Sequence, residues 1–431
     1  MTIKPLKTAM THQNGTPPEV TATVAAMLAR IKTGGEDAVR HYAATLDRWQ
    51  GDIVVPDEML RTAGTRVAPE LRAAIHFAHE NIHHFATAQR GSIQEFETEI
   101  RPGLFAGQKL IPVSTAGCYV PGGRYAHIAS ALMTITTARV AGVRHITVAS
   151  PPRGDAIPDA ILFAMHLAGA TRVLNLGGVQ AIAAMAQGLF ETPGADILVG
   201  PGNAFVAEAK RQMFGPVGID MFAGPTDSLV IADGDADPET VAWDLVGQAE
   251  HGANSPIWLA SLSSAIAEQV IAIVPRLIAT LPEPNRAAAD RAWRDLGEVV
   301  VCDSREEAAD YADARAPEHL HVQAGDLDYW RNRLRSYGAL FLGAQTTVAF
   351  GDKATGPNHV LPTSGAARYT GGLSVHKFLK CVTWQEMRGG ACPDLADACA
   401  TISRAEGMEG HARTADIRQD SWKQTGNRAA G

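Results

Sequence analysis

The chain lacks the long apolar segments that membrane-spanning or secreted proteins carry. Charged or polar residues interrupt every apolar run before it reaches the roughly 18 residues that a membrane span needs. The first residues, MTIKPLKTAMTHQNG, contain no apolar stretch of the kind found in a secretory signal. We therefore expect a cytoplasmic protein without a membrane partner.

Cysteine is scarce and scattered. The five cysteines are an odd set without a CxxC pair, at positions 118, 302, 381, 392 and 399. Such a set does not build a disulfide framework or a sulfur-rich zinc site. We expect reduced thiols, and nitrogen and oxygen ligands at any metal site.

A basic excess is also missing. The net charge is −8 and the pI is about 6.0, which argues against nucleic-acid and anionic-membrane partners. The acidic excess is too mild to select a substrate. With 431 residues, the chain is long enough for two or three domains with well-buried cores.

The hydrophobic pattern changes along the chain. The first hundred residues have apolar positions at helical spacing, and no strand is expected before Arg101. Short β-branched runs then alternate with helical stretches such as PDAILFAMHLAG. The predicted strands cover residues 145–150, 171–178, 195–202, 228–233, 257–262, 297–302 and 338–343. This alternation is typical of an α/β fold with parallel sheets covered by helices, and seven strands fit two sheets better than one.

Glycine follows several predicted strands, in GGVQ after Leu176, GPGN after Val199 and GPTD after Ala223. Glycine lets the backbone approach a cofactor closely, and a following helix N-terminus favours phosphate. None of these segments matches GxGxxG, so tight strand-to-helix turns explain them as well as a nucleotide site does.

Three segments carry candidate chemistry. Gln248 and His251 lie on one face at the end of a helix whose predicted N-cap is Asp237. Glu318 and His319 are adjacent where a helix gives way to a strand, and could activate water and move protons. Each pair, taken alone, is more often an ordinary polar helix end or a surface pair.

The third segment, FGDKATGPNHVLPT, is predicted to be a rigid loop that presents polar groups, including Asp352 and His359. A row of histidines at positions 76, 79, 83 and 84 is interpreted as a solvated or packed helix face rather than a metal site.

Taken together, the motifs resemble the histidinol dehydrogenase family. The motifs occur in the family's order from about residue 20 to 418: GCYVPGGRYAHIASALM, LGGVQAIAAMAQG, VGPGNAFVAEAKRQMFGPVGIDMFAGPTD, VGQAEH, APEHL, FGDKATGPNHVLPT and EGMEGHARTADIR. The resemblance implies a zinc-dependent, NAD-linked dehydrogenase that takes an alcohol to a carboxylate and consumes two NAD.

The resemblance also assigns roles. It implies zinc ligands at Gln248, His251, Asp352 and His411, the last supplied across the interface of a homodimer. Glu318 would activate water, and His319 would act as general base. Implied NAD contacts are Tyr119, Gln180 and Asn203. Implied substrate contacts are Thr226, Gln248, His251, His319, Asp352, Glu406 and His411.

The predicted architecture is two incomplete, doubly wound Rossmann-like domains with an N-terminal helical segment and a small C-terminal helical appendage. Residues 1–115 with 227–365 would form the first domain. Residues 116–226 would form the second, on the NAD side, and 366–431 a helical dimerisation appendage.

The chain departs from the family around the implied substrate site. Where the family usually reads PGGTAAYPSSVLM, this sequence has PGGRYAHIASALM, which introduces Arg124 and His127. GDK replaces GDY and adds Lys353, and Val348 replaces a common acidic residue. Relative to the family, the chain has additional cationic side chains and fewer acidic ones at these positions. This favours a small anionic alcohol as substrate, because arginine offers a planar set of donors to an oxyanion.

PGGRYAHIASA and SGGLSVHKFLK resemble the branch of the family that oxidises 2,3-dihydroxypropane-1-sulfonate to sulfolactate. We expect this substrate, with L-histidinol as the alternative. The alternative explanation of these departures is random drift at positions that never touch the substrate. A non-catalytic nucleotide-binding relative is a third hypothesis, against which the presence of every implied zinc and catalytic residue argues.

Overall fold

The computed structural model describes residues 3–10, 17–122, 127–221, 224–388 and 392–429. Arg124 therefore lies outside the described residues. Two compact units are present. The first comprises Met1–Arg90 and Val113–Phe378, and the second comprises Gly91–Pro112 and Leu379–Gly431. In the part of the chain that the structure describes, no helix is long and apolar enough to cross a membrane.

The strands are short and are spread along the whole chain. They are β1 (Lys4–Lys7), β2 (Phe96–Arg101), β3 (Leu104–Pro112), β4 (Thr115–Tyr119), β5 (His145–Ser150), β6 (Arg172–Asn175), β7 (Ile197–Val199), β8 (Gly218–Ile219), β9 (Ser228–Ala232), β10 (Ile257–Ser261), β11 (Glu298–Val301), β12 (His319–Gln323), β13 (Ala339–Leu342) and β14 (Leu379–Met387).

Helices connect most of these strands. They are α1 (Pro18–Tyr42), α2 (Asp57–Thr62), α3 (Pro69–Gly91), α4 (Ile128–Ala141), α5 (Asp159–Ala168), α6 (Gly178–Gln187), α7 (Ala204–Met213), α8 (Pro238–Ala249), α9 (Ser264–Ile278), α10 (Asn285–Leu296), α11 (Arg305–Arg315), α12 (Leu327–Arg333), α13 (Val348–Lys353), α14 (Pro393–Ala405) and α15 (Glu409–Ala429).

The first unit contains two mainly parallel sheets. A five-stranded sheet has the order β6-β5-β4-β7-β8, and a six-stranded sheet has the order β1-β11-β10-β9-β12-β13. Every pairing within them is parallel except that of β1 with β11. The seven predicted strands are β5, β6, β7, β9, β10, β11 and β13, so the α/β expectation is confirmed.

The expectation that no strand precedes Arg101 is wrong. β1 is an edge strand that pairs antiparallel with β11, and this partner lies almost 300 residues away in sequence. β2 has the sequence FETEIR and is exposed along its whole length, so it has no buried apolar face. β1 carries no local pattern that reveals it, because its pairing depends on a distant neighbour. In β2, Phe96, Thr98 and Ile100 alternate with charged residues ahead of the Pro102-Gly103 turn, a hairpin signal that the helical interpretation overlooked.

Separate apolar clusters cover the two sheets. Around the five-stranded sheet, α1 packs with α6 and α7 through residues such as Ile31, Ile182 and Val206. In the six-stranded sheet, α8, α9 and α10 cover one face, and α11 and α12 cover the other. Helix α4 is buried on almost every side, as expected of a helix enclosed by other elements.

The second unit is an antiparallel sheet of order β14-β3-β2 with a pair of helices, α14 and α15. The two helices share a small cluster made of Ala396, Ala400, Ala412 and Ala415. The helical character of this C-terminal region was expected, whereas β14 was not.

A buried ion pair holds the turn that follows β7. Lys210 and Asp220 pair with side chains that are 3% and 0% exposed. Lys210 Nζ donates to the Gly200 carbonyl oxygen (2.9 Å), and Asp220 Oδ2 accepts from Gly200 N (2.8 Å). Gly200 has φ +116°, and a Cβ there would lie 2.1 Å from the Tyr119 carbonyl oxygen, so both glycine and the pair are needed.

Replacing Lys210 with Met should lower the free energy of unfolding by roughly 3–5 kcal/mol, because the Asp220 carboxylate would remain buried without its partner. Urea denaturation measures the change. Arg61→Met, which breaks the exposed pair with Glu58, is the control and should change stability little. If the free energy of unfolding fell equally in the two variants, the buried pair would not have the proposed stabilising effect.

Candidate active site

The candidate catalytic residues lie at the amino ends of two neighbouring strands. Asp227 precedes β9, and Glu318 and His319 stand at the start of β12, which pairs in parallel with β9. Backbone and side chain interlock there: Glu318 N donates to Asp227 Oδ1 (2.7 Å), and Asp227 N donates to Glu318 Oε2 (3.3 Å). The two strand ends are therefore held together by their acidic side chains.

Glu318 and His319 form a buried acid–base pair. Their side chains are 9% and 4% exposed, and His319 Nδ1 lies 3.6 Å from Glu318 Oε2. Burial raises the pKa of Glu318 to about 7, although His319 opposes the shift. Burial alone would lower the pKa of His319, but Glu318 and Asp352 outweigh it and raise that pKa. A carboxyl with a raised pKa beside an imidazole is suited to proton transfer near neutral pH.

Asp352 is the third acidic group at this edge, and it faces two imidazoles. Its Oδ1 lies 3.5 Å from His319 Nε2, and its Oδ2 lies 3.8 Å from His251 Nε2. Burial would raise its pKa, but His319 and the other nearby imidazoles hold the pKa below the ordinary range. Asp352 lies on the short helix α13 and not in a loop, which corrects the loop prediction for its position.

The candidate metal ligands in the first unit come together at the end of α8. Asp237 caps this helix through Thr240 N (3.0 Å), as predicted. Gln248 lies in the last turn and His251 just beyond it. The C-terminal end of a helix carries partial negative charge, which favours a bound cation.

The side-chain oxygen of Gln248 bears on whether these residues fit a metal ion. Gln248 Oε1 is buried and has no hydrogen-bond partner among the described residues, a costly state for an amide oxygen. With the His251 imidazole and the Asp352 carboxylate, it makes a nitrogen and oxygen donor set that suits zinc. Within the described residues, no three His, Cys, Asp or Glu side chains form a metal site by themselves.

The other predicted site residues are distributed as follows. Thr226 is half-buried and hydrogen-bonds to Glu318. Glu406 and His411 belong to the second unit and are exposed, Glu406 just after α14 and His411 on α15.

The three predicted NAD residues line one cavity of about 520 Å³ at the carboxyl ends of β4, β6 and β7. The Tyr119 hydroxyl accepts from Gly178 N (3.1 Å), and Asn203 caps α7 through Phe205 N (3.0 Å). Gln180 Nε2 donates to Asp47 Oδ2 (2.9 Å). The cavity lies beside β4 and β7, where the strand order reverses direction, the usual ligand position in such sheets.

Basic side chains gather around His127, the N-cap residue of α4. Burial lowers the pKa of His127 to about 4, and His359, Lys353 and Arg153 add to the effect through their charge. His359 is fixed in turn by the Asp352 carbonyl oxygen at Nδ1 (2.8 Å) and by the Ser130 hydroxyl at Nε2 (3.0 Å). The departures at His127 and Lys353 therefore lie close to Asp352 and to each other.

Known proteins are similar to this chain over nearly its whole length. The family model "Histidinol dehydrogenase" matches residues 10–419. A histidinol dehydrogenase homolog of Ruegeria pomeroyi is 65% identical over 99% of this chain and 98% of its own length. Sulfopropanediol 3-dehydrogenase of the same organism is 55% identical over 97% and 96%. The crystal structure of histidinol dehydrogenase from Elizabethkingia anophelis matches with a TM-score of 0.90 at 32% identity, over 96% and 95%.

The chain belongs to the histidinol dehydrogenase family. Members of this family are NAD-dependent dehydrogenases, and NAD and zinc are typical of the family. The fold, two parallel sheets with covering helices, is that of a solved histidinol dehydrogenase.

Two acidic residues of this histidinol dehydrogenase family member were missed by sequence reasoning. Asp227 ends the GPTD motif and accepts from Glu318 N and from Ser364 N (3.1 Å). Its place beside Thr226 could have identified it. Asp47 lines the 520 Å³ cavity and accepts from Gly177 N (2.8 Å) as well as from Gln180. Nothing in the surrounding helical pattern marks Asp47, because the contact joins segments 130 residues apart.

Gln180→Ala should raise the dissociation constant of NADH roughly tenfold, because it removes a buried side chain of the cavity together with one hydrogen bond. NADH fluorescence on titration with protein measures the binding. Gln212→Ala is the control, since Gln212 hydrogen-bonds to Thr21 O (3.0 Å) and does not line the cavity. An unchanged NADH affinity in Gln180→Ala would mean that the cofactor binds elsewhere.

Proposed function

We propose that this chain is a zinc-dependent, NAD-linked dehydrogenase that oxidises a primary alcohol to a carboxylate by way of the aldehyde. The proposed substrate is 2,3-dihydroxypropane-1-sulfonate, and the product is 3-sulfolactate. The observation that carries the proposal is the buried carboxylate of Asp352, which faces His251 on one side and the Glu318–His319 pair on the other.

Gln248, His251 and Asp352 would hold the zinc ion in the first unit. Zinc, when bound, lowers the pKa of an alcohol and orients the carbon that gives up hydride. The unpartnered Gln248 Oε1 and the cation-favouring end of α8 support this assignment.

His319 is the proposed general base of the first oxidation. It removes the hydroxyl proton of the alcohol while a hydride leaves the same carbon for the nicotinamide. His319 Nε2 is buried and lies 3.5 Å from Asp352 Oδ1, a carboxylate that would hold the proton that His319 takes up. Asp352 and Glu318 on either side stabilise the imidazolium that forms.

Glu318 is the proposed base of the second oxidation. It takes a proton from water, and the hydroxide adds to the aldehyde carbon to give the hydrate as its monoanion. Loss of a second hydride from that carbon to a second NAD, with loss of a proton, leaves the carboxylate. The hydrogen bonds from Asp227 N and from Thr226 orient the Glu318 carboxyl group for this step.

The cavity lined by Tyr119, Gln180 and Asn203 is the proposed NAD site. In chain order within each sheet, the parallel strands are arranged 3-2-1-4-5 in both sheets, with β1 added at one edge. This repeated order supports two Rossmann-like halves, for which we keep the predicted limits 116–226 on the NAD side and 1–115 with 227–365 on the catalytic side.

We also propose a homodimer in which His411 of the partner subunit completes the zinc ligands and Glu406 of the partner subunit contacts the substrate. Residues 366–431 would form the dimerisation appendage. Both side chains are exposed on their own chain and so are available to a second copy. A cavity of about 560 Å³ leads to His319 and Asp352 beside the edge strand β13, and it offers the space that a partner segment would need.

An anionic substrate is favoured by the charges around the site. Lys353 and Arg153 act on His127 through their positive charge, and Arg124 is three residues before His127. His127 itself, with a pKa lowered to about 4, would offer an uncharged imidazole to the substrate. The relative named sulfopropanediol 3-dehydrogenase is 55% identical to this chain. L-histidinol is the second candidate, because a solved histidinol dehydrogenase shares the fold at a TM-score of 0.90.

Purified enzyme given the sulfonate diol should release two NADH per substrate, measured at 340 nm, and L-histidinol in parallel should give much slower release. Glu318→Gln keeps the size of the side chain but removes the base. It should slow oxidation of added aldehyde roughly 100-fold and reduce the yield toward one NADH. Faster turnover of histidinol would replace the proposed substrate, and a full yield of two NADH from Glu318→Gln would remove Glu318 from the second step.

Arg124→Ala should raise the KM for the sulfonate diol by roughly ten- to a hundredfold, the loss expected for a charge-assisted hydrogen bond. Steady-state kinetics at saturating NAD measure it. Arg144→Ala, at an exposed position of the same half, is the control and should leave the KM unchanged. If the KM stays the same in Arg124→Ala, Arg124 does not bind the sulfonate.

A further inference from the structure

A second polar cluster lies at the six-stranded sheet of the first unit. It is next to the candidate catalytic residues but does not include them. At its centre is Asp244 on α8, whose side chain is 11% exposed. Its Oδ1 accepts from Thr347 Oγ1 (2.8 Å), and its Oδ2 accepts from Gln323 Nε2 (2.5 Å). His321 Nδ1 lies 3.0 Å from the same Oδ2, and His321 Nε2 lies 3.0 Å from the Gly343 carbonyl oxygen.

The cluster joins the three elements that carry the candidate metal and catalytic residues. Asp244 lies one turn before Gln248 on α8. His321 and Gln323 lie on β12, which begins with His319. Thr347 immediately precedes α13, the helix that carries Asp352. One carboxylate therefore ties α8, β12 and α13 to one another.

Thr347 uses its hydroxyl in an unusual way for its position. It is the N-cap residue of α13, where a threonine oxygen ordinarily accepts from a backbone N–H of the first turn. No such side-chain bond is present, and the hydroxyl donates to Asp244 instead. Helix α13 therefore has no side-chain N-cap, and its first end is held by the Thr347 hydrogen bond to Asp244 of α8.

Rigid placement matters because the site itself has few internal contacts. Asp352 lies 3.8 Å from His251 and 3.5 Å from His319, which are longer than hydrogen bonds. The separation of Asp352 from the Gln248 and His251 side chains therefore depends on how α13 is held relative to α8. The Thr347–Asp244 hydrogen bond joins α8 directly to the residue from which α13 begins.

We propose that Asp244 is a positioning residue, which holds α13 against α8 through Thr347 and so sets the spacing of the zinc ligands Gln248, His251 and Asp352. The inference rests on the proposed zinc site. A purely structural role would lower stability without changing the affinity for zinc, whereas a positioning role changes the affinity in a folded protein. Supporting contacts of metal ligands typically contribute 10- to 100-fold to affinity or activity.

Thr347→Val tests the proposal, because it removes the hydroxyl and keeps the shape and β-branching of the side chain. The dissociation constant of zinc is measured on full-length, metal-free enzyme by competition with a chromophoric chelator. The melting temperature of the same metal-free protein is recorded beside it. We expect zinc to bind roughly tenfold more weakly, and kcat to fall with little change in the KM for NAD.

Two further variants make the outcome decisive. Thr347→Ser retains the hydroxyl and should restore zinc affinity to within about twofold of wild type. Tyr311→Phe removes the hydroxyl that donates to Glu298 (2.7 Å) at the far side of the same sheet, and should leave zinc affinity unchanged. It also calibrates how far the melting temperature falls when one half-buried hydrogen bond is lost.

The results separate the two proposals. Weaker zinc binding in Thr347→Val, with rescue by serine and no effect of Tyr311→Phe, supports the positioning role. Unchanged zinc affinity in Thr347→Val overturns it, whatever happens to the melting temperature, and so does an equal loss in Tyr311→Phe. If wild-type protein itself binds no zinc, the metal site of the proposed function is what fails.

Discussion

The candidate site depends on one electrostatic constraint, the burial of the Asp352 carboxylate. A carboxylate on a side chain that is only 11% exposed must be offset by nearby positive charge or by hydrogen bonds, since its desolvation is otherwise costly. His319 and His251 supply part of that compensation at 3.5 and 3.8 Å. At these distances neither imidazole makes a close hydrogen bond to the carboxylate, which is why Asp352 is included in the proposed zinc site.

The two candidate sites lie at opposite strand ends of the two sheets. The cavity proposed to bind NAD lies at the carboxyl ends of the five-stranded sheet, whereas Asp227, Glu318 and His319 stand at the amino ends of β9 and β12. Helix α8 runs back from the end of β9, so its C-terminus arrives at this amino edge. A cation is favoured at a helix C-terminus and a phosphate at a helix N-terminus. Each edge therefore presents the helix ends that suit its proposed ligand.

The local sequence pattern correctly predicted elements whose signals lie within a few neighbouring residues. Seven strands and the Asp237 cap of α8 follow from β-branched runs and capping chemistry, and the structure has them. β1 could not be predicted, because its pairing partner β11 lies almost 300 residues away in sequence. β2 has its partner β3 just after it in the chain, so its hairpin was within reach of local sequence reasoning and was overlooked. The site residues were assigned by family resemblance, since no local spacing brings Gln248 and Asp352 together. Asp47 and Asp244 escaped notice because their partners are distant in sequence.

The positions where the sequence departs from its family also bear on the substrate. Random drift would scatter such changes over the surface, yet His127 and Lys353 lie near each other and near His251 and His359. Val348, where an acidic residue is common, is 2% exposed and begins the helix that carries Asp352. A missing carboxylate there and an added ammonium on the same short helix change the local charge in one direction. These two changes agree in sign and lie on the same helix as Asp352, which supports the proposal of an anionic substrate over drift.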